Sequence, residues 1–481
     1  MNLFSESIPE SLLERLRARS WFRYGIYRDE VFPVSVWIGS LNPPGAAPQE
    51  LSRSMRNVIK PGDPAFVDEA EMAELTAFFK KNLEEGGTVY LRRYYEEHAR
   101  VVENLRVLSE SYQTLKSEDL SNEELAHKLE QLLEAAHATS PYLWNIIFIN
   151  DLIGGYLQER LKTAYPDWDG PKLAAFIESI SYPRQKLYFQ KEKESLRTVD
   201  LDDETTLRGL HEEYKWLSMG PFSGRPWDLE TYRERVTAMQ NDPLLVKNVD
   251  DLNAGIAGAD AAVASLSDGD LQELVELVRN LIYLKAHRID IYARSLSNAL
   301  GLFDEIAKRL EVTFENLLKL TGEEILDALR GGEVPRDFDK RATYLYVLID
   351  GELHYFHGKA RAEAEKILYK NDYSSMRELR GRTAYPGVVR GPARVLMTDL
   401  DLHKLKKGDI LIANLTNPNF DPAFGIVAGV VTDEGGMLCH SAIMAREFKI
   451  PCVIATKLAT QVFKDGDMLE IDAAGGTVRK I

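Results

Sequence analysis

Cysteine is nearly absent: the chain of 481 residues holds two, Cys439 and Cys452. A disulfide framework is thereby excluded as the source of stability, and a reducing compartment, the cytoplasm, is expected. Positive charge is also in short supply. The 59 Lys and Arg are outnumbered by 75 Asp and Glu, for a formal charge of -16, which argues against a nucleic-acid partner because phosphates are neutralised by clustered basic residues. Long apolar runs are missing too. The most apolar stretch, Pro141 to Leu157, is interrupted by Asn145, Asn150 and Asp151 and falls short of the roughly 20 residues of a membrane span. It reads as a buried helix, and no membrane association is expected. The N-terminus, MNLFSESIPESLLERLR, mixes acids and bases with its leucines, unlike a secretory leader. No internal repeat or low-complexity segment is visible. What remains is a globular chain long enough for two or more domains with proper cores.

Taken in order, Trp21 to Leu41 is aromatic and β-branched, broken by Gly25 and Pro33, and predicts one or two short strands or an extended arm. Helix then dominates. Apolar residues recur at three- and four-residue intervals over Pro64 to Leu83, Thr88 to Lys116, Leu120 to Ala138, Pro141 to Ala164, Asp270 to Leu300 and Leu302 to Leu310. Ser121 and Glu124 have the spacing of a capping box, so a helix starts there. Val312 to Gly332 reads as two short helices. Arg341 to Gly358 alternates around Asp350-Gly351, the signature of a β-hairpin. His287, Arg288 and Arg294 sit on a long helix with nothing to give them a role. Around Tyr373 to Arg382 strands begin to dominate, which divides the chain into a mainly α-helical domain, 1–378, with a small β-hairpin near 341–358, and a C-terminal α/β domain, 379–481.

One loop of the helical part stands out. Tyr214 to Trp227 reads YKWLSMGPFSGRPW, rich in Gly and Pro, with aromatics and one arginine. It is either a rigid turn stapling two helices or a wall on which Trp216, Phe222 and Trp227 clamp an apolar acceptor while Arg225 steadies a phosphoryl charge.

The stretch that organises the chain is Thr432 to Cys452, TDEGGMLCHSAIMAREFKIPC. Gly435 and Gly436 precede His440, which opens a segment of helical periodicity. A helix mouth presents unpaired N–H groups and the positive end of the dipole, a place for phosphate. Neutral imidazole, with an ordinary pKa of about 6.5, is a competent nucleophile at pH 7. The residues alone leave open a second reading, a capping histidine after a glycine turn. Spacing assigns no metal site: His354 and His357 fall on opposite faces of a strand.

GGMLCHSAIMAREFKIPCVIAT closely resembles the phosphohistidine motif of the phosphoenolpyruvate (PEP) synthase and pyruvate phosphate dikinase family. TAYPGVVRGPARVL (Thr383 to Leu396), GDILIANLTNP (Gly408 to Pro418) and DGDMLEIDAAGGTVRKI (Asp465 to Ile481) resemble other parts of the same swivelling domain. The resemblance implies phosphorylation of His440, with Gly435, Gly436, Ser441 and Arg446 binding phosphate or supporting the loop. Where synthases and dikinases carry a regulatory threonine, this chain has Leu438, so that regulation is expected to be absent. Neither an ATP-grasp pattern before residue 375 nor a barrel after Ile481 is read. The order helical domain then histidine domain is similar to rifampin phosphotransferases and to the carrier subunit of phenylphosphate synthase. The expectation is a phosphotransferase subunit, loaded by a separate ATP-grasp protein using ATP with Mg²⁺, that delivers phosphate to a small hydroxyl acceptor on the helical domain. The alternative is a non-catalytic regulatory or docking protein sensing phosphorylation.

Overall fold

The computed structural model describes residues 3–24, 31–33, 50–51, 53, 55–61, 65–197, 199–200, 203–219, 223–241, 245–369, 373, 375–397, 399–416, 420–436 and 439–481. A large helical region is followed by a strand-rich C-terminal domain. Among the described residues, no helix is long and apolar enough to cross a membrane.

The predicted hairpin is present, β5 (Leu345–Ile349) and β6 (Glu352–Phe356), turning through Asp350 (φ 53°) and Gly351 (φ 85°). Positive φ at both turn residues matches the right-handed twist of the strands. The hairpin does not stand alone. It lies in a sheet of order β1-β6-β5-β3-β4-β2, joined by β1 (Phe4–Ser5), β2 (Trp21–Tyr24), β3 (Val58–Lys60) and β4 (Ala65–Asp68). Strand β5 is apolar throughout because both faces are covered. Leu345, Val347 and Ile349 pack toward helices α1 (Glu10–Arg17) and 359–368, while Tyr346 and Leu348 face the main helical core.

That core is built on α2 (Glu69–Glu110), α3 (Asn122–Ala164), α4 (Gly170–Ser179) and α5 (Gly269–Asn298). Asp68 caps α2 by accepting from the N–H groups of Ala70 and Glu71, and Ser121 and Glu124 form the expected capping box of α3. The break expected between Leu83 and Thr88 is present, since α2 is two helices joined at a kink where Gly87 leaves helical geometry (φ 50°, ψ -134°), whereas the break expected before Pro141 is crossed by α3. Packing on either side outweighs the local penalty. Behind the hairpin, Arg341 and Glu324 form a bidentate ion pair at 2.6 and 2.9 Å, both side chains fully buried.

The C-terminal sheet has the order β7-β14-β13-β9-β10-β11-β12-β8. Its centre is parallel: β9 (Val388–Leu396), β10 (Ile410–Ala413), β11 (Gly429–Thr432) and β12 (Cys452–Ile454). Antiparallel β7 (Glu378–Arg380), β14 (Thr477–Lys480), β13 (Met468–Asp472) and β8 (Arg382–Tyr385) flank it. Leu411 and Ala413 face the layer holding α6 (His440–Phe448), and Ile410 and Ile412 face the layer holding residues 459–462. The two domains touch. Buried Arg23, on β2, donates through Nη1 to Thr460 Oγ1 at 2.9 Å.

Candidate phosphohistidine site

Parallel pairing of β10 and β11 in the register Ala413 to Thr432 brings the loops that follow them out at one edge of the sheet. That carboxyl edge is where α/β sheets hold ligands. The loops are zipped together: Glu434 N–H donates to Asn414 O at 2.9 Å, and Asn414 Nδ2 donates to Glu434 Oε1 at 3.0 Å. Asp433, buried beneath them, accepts the Thr460 N–H at 3.0 Å, and burial holds its carboxyl above the usual range.

Gly435 carries φ +127°, and a Cβ there would lie 2.7 Å from Cys439 Sγ, so the close turn requires glycine. The carbonyl of Gly436 accepts the Cys439 N–H at 2.9 Å. Met437 and Leu438 lie outside the described residues. Cys439 is the N-cap of α6 but makes no side-chain cap, and burial raises its thiol, which leaves it a poor thiolate.

His440 is the first residue of α6, half-buried, with its ring 5.9 Å from Phe424 in an edge arrangement. Its Nδ1 is hydrogen-bonded to Thr416 Oγ1 at 2.7 Å, and Thr416 Oγ1 is 2.8 Å from Ser441 Oγ. Thr416 was not singled out from the sequence. Its signal was the polar NLT immediately after the apolar strand ILIA, legible only once β10 and β11 are neighbours. Ser441, 1% exposed, holds Thr416 and so supports the ring from behind. Arg446 lies six residues down the helix, a rise of about 9 Å. Burial lowers its pKa, while Glu178 of α4 and the thiols of Cys439 and Cys452 act to raise it. Lys285 of α5 lies within electrostatic reach of the Cys439 thiol.

The loop Tyr214 to Trp227 makes its described contacts with neighbouring helices. Trp216 is 3% exposed, its Nε1 donating to Glu213 O at 2.7 Å and its ring edge-on to Tyr188. Arg225 grips Asp304 with bonds of 3.0 and 2.6 Å and lies 3.8 Å over the Phe314 ring. Trp227 packs beside Tyr232 under Arg235. Phe222 lies outside the described residues. The contacts of Trp216, Arg225 and Trp227 all lie within the helical domain.

Residues 405–476 match the sequence profile of the PEP-utilising enzyme mobile domain. This chain carries that domain. It is 34% identical over 167 residues to a probable phosphoenolpyruvate synthase of Archaeoglobus fulgidus, covering 33% of this chain and 22% of that protein. It is 42% identical over 101 residues to the phosphoenolpyruvate synthase of Aeropyrum pernix, covering 21% and 12%. An uncharacterized phosphotransferase of Bacillus subtilis, YvkC, is 30% identical over 120 residues, covering 25% and 14%. The chain thus spans about a fifth of the length of the first curated relatives it matches. The mobile domain, with His440 at the mouth of its helix, belongs to a phosphotransferase type of domain.

Proposed function

We propose that this chain is a phosphotransferase component that carries phosphate on Nε2 of His440. The observation that supports it best is the bond between His440 Nδ1 and Thr416. When Nδ1–H donates to Thr416, and Thr416 in turn donates to Ser441, the proton is fixed on Nδ1 and the lone pair for attack is on Nε2. Loading forms a P–N bond at Nε2 as the P–O bond to the nucleotide's leaving phosphate breaks. Unloading forms a P–O bond to an acceptor hydroxyl, the P–N electron pair returns to Nε2, and the hydroxyl proton leaves to solvent or a base. The backbone N–H groups and dipole at the start of α6 favour the phosphoryl charge in between.

The loader in this reading is a separate ATP-grasp protein working with ATP and Mg²⁺, and the acceptor is a small hydroxyl compound bound by the helical domain. Two half-reactions let loading and unloading occur in separate, water-excluding sites. The test is labelling with γ- and β-labelled ATP, Mg²⁺ and the partner. Acid-labile label is expected on this chain and is expected to vanish in His440→Ala. Label that survives the substitution would sink the assignment, and label that forms but reaches no small molecule would favour the regulatory alternative.

A further inference from the structure

Arg23 reaches out of its own domain. It stands on β2, the edge strand of the sheet that holds the hairpin, and is 8% exposed. Its guanidinium enters the mobile domain at the carboxyl edge of the parallel strands. Nη1 donates to Thr460 Oγ1 at 2.9 Å, and Nη2 lies 4.0 Å from Sδ of Met397, the residue after β9. Thr460 is held in turn by Asp433, the residue after β11: its N–H donates to Oδ1 at 3.0 Å, and its hydroxyl bonds to Oδ2. Asp433 opens the loop that runs through Gly435 to His440. The arginine therefore docks on the same edge of the sheet that bears the histidine.

The grip is incomplete. Arg23 Nε is buried and has no hydrogen-bond partner among the described residues, and the link to Asp433 passes through the Thr460 hydroxyl. Within the helical domain, by contrast, buried Arg341 meets Glu324 directly through two bonds. Breaking a direct buried pair leaves each charge uncompensated, whereas a single bond to a hydroxyl is readily replaced by water. Burial raises the Asp433 carboxyl, while the bonds from Thr460 and the charge of Arg23 act to lower it. Three further pairs across the domain boundary lie within electrostatic reach of one another: Lys285 with Cys439, Glu178 with Arg446, and Tyr182 with Glu447.

We propose that Arg23 is a releasable latch, which holds the histidine-bearing edge of the mobile domain against the helical domain and lets go when that edge must face another protein. That release serves loading rests on the phosphotransfer reading above, since a carrier loaded at one site and unloaded at another presents His440 to each in turn. The docking itself does not rest on it.

The experiment is small-angle X-ray scattering of the full chain, of Arg23→Met and of Thr460→Val, with circular dichroism and thermal melting of each. Wild type is expected to scatter as one closed particle. Loss of a charged hydrogen bond raises the ratio of open to closed chains by about tenfold or more, so both variants are expected to show a larger radius of gyration with unchanged secondary structure. Arg23→Lys, which keeps a donor, is expected to lie between them and wild type. The double variant Arg23→Met/Thr460→Val is expected to open no further than the more open single variant, because both substitutions remove the same bond. A wild-type chain that is already open overturns the proposal, as do single variants that both stay closed, or a double variant whose opening is the product of the single effects. If Arg23→Met loses its fold, Thr460→Val decides by itself, and a closed particle then overturns the latch. If the variants open while no chain ever carries label from ATP, the phosphotransfer reading fails and the latch stands.

Discussion

Replacing Thr416 by valine removes the hydroxyl bonded to Nδ1 of His440. The side chains are nearly isosteric and Thr416 is 5% exposed, so the packing is kept while the hydroxyl is lost. Two hydrogen bonds go with it, to His440 Nδ1 at 2.7 Å and to Ser441 Oγ at 2.8 Å. A neutral hydrogen bond contributes about 0.5–1.5 kcal/mol net, so loss of the ring contact shifts the tautomer ratio by about 2- to 12-fold and lowers the population with its lone pair on Nε2 by at most that factor. The same fall is expected in the rate of phosphorylation. A small phosphorylating agent such as phosphoramidate reads this without any partner protein: the rate falls by that factor, and the wild-type product carries phosphate on Nε2, resolved from the Nδ1 isomer by phosphorus NMR. Ser441 is left with one contact fewer, a loss of about 1 kcal/mol in denaturant unfolding. The reasoning is refuted if Thr416→Val reacts as fast as wild type, or if the wild-type product is the Nδ1 isomer, since that nitrogen then has its lone pair available and Thr416 is not accepting its proton.

Three further outcomes follow from the same structure. Arg341→Met removes the buried partner of both Glu324 and Asp337 and is expected to destabilise the chain by about 3–5 kcal/mol in urea unfolding; a loss below about 1 kcal/mol would refute the role given to these ion pairs. Gly435→Ala forces a side chain into positive φ and against Cys439 Sγ, and is expected to cost about 1–3 kcal/mol and most of the phosphoramidate reactivity, with wild-type behaviour refuting the required turn. Burial lifts Asp290 to about 7 and pushes His287, one turn away, down to about 4. Between about pH 4 and 7 the folded chain binds more protons at Asp290 than the unfolded chain, so this group's contribution to stability falls as pH rises. Its shift from 3.8 to about 7 caps the effect at about 4 kcal/mol, which Asp290→Asn removes, making the variant more stable than wild type above pH 7. His287 has the opposite sign: below pH 6.5 the unfolded chain takes up the proton first, so stability is lost as pH falls toward 4, and His287→Asn flattens that limb. Unfolding midpoints across pH 4 to 8 that do not separate the two variants would refute both assignments.

What the sequence determined by itself is local. Ser121 with Glu124, Asp350 with Gly351, the two short helices between Val312 and Gly332, and the run from Gly435 through Phe448 all act within a few residues, through caps, turns and helix periodicity, and each is legible without a fold. What only the tertiary structure decided depends on partners far apart in the chain. Thr416 meets His440 across 24 positions because β10 and β11 are parallel neighbours in one register. The hairpin became part of a larger sheet because β1, near the first residues, pairs with Tyr355 and Phe356. Helix α3 crosses Pro141 because burial along some forty residues outweighs one weak point, a sum that no local window contains. Arg225 pairs with Asp304, 79 residues later, a contact that no reading of the loop by itself contains. His98 of α2, fully buried, stacks on Tyr142 of α3 only because the two helices pack together, a contact across 44 positions that neither helix carries by itself.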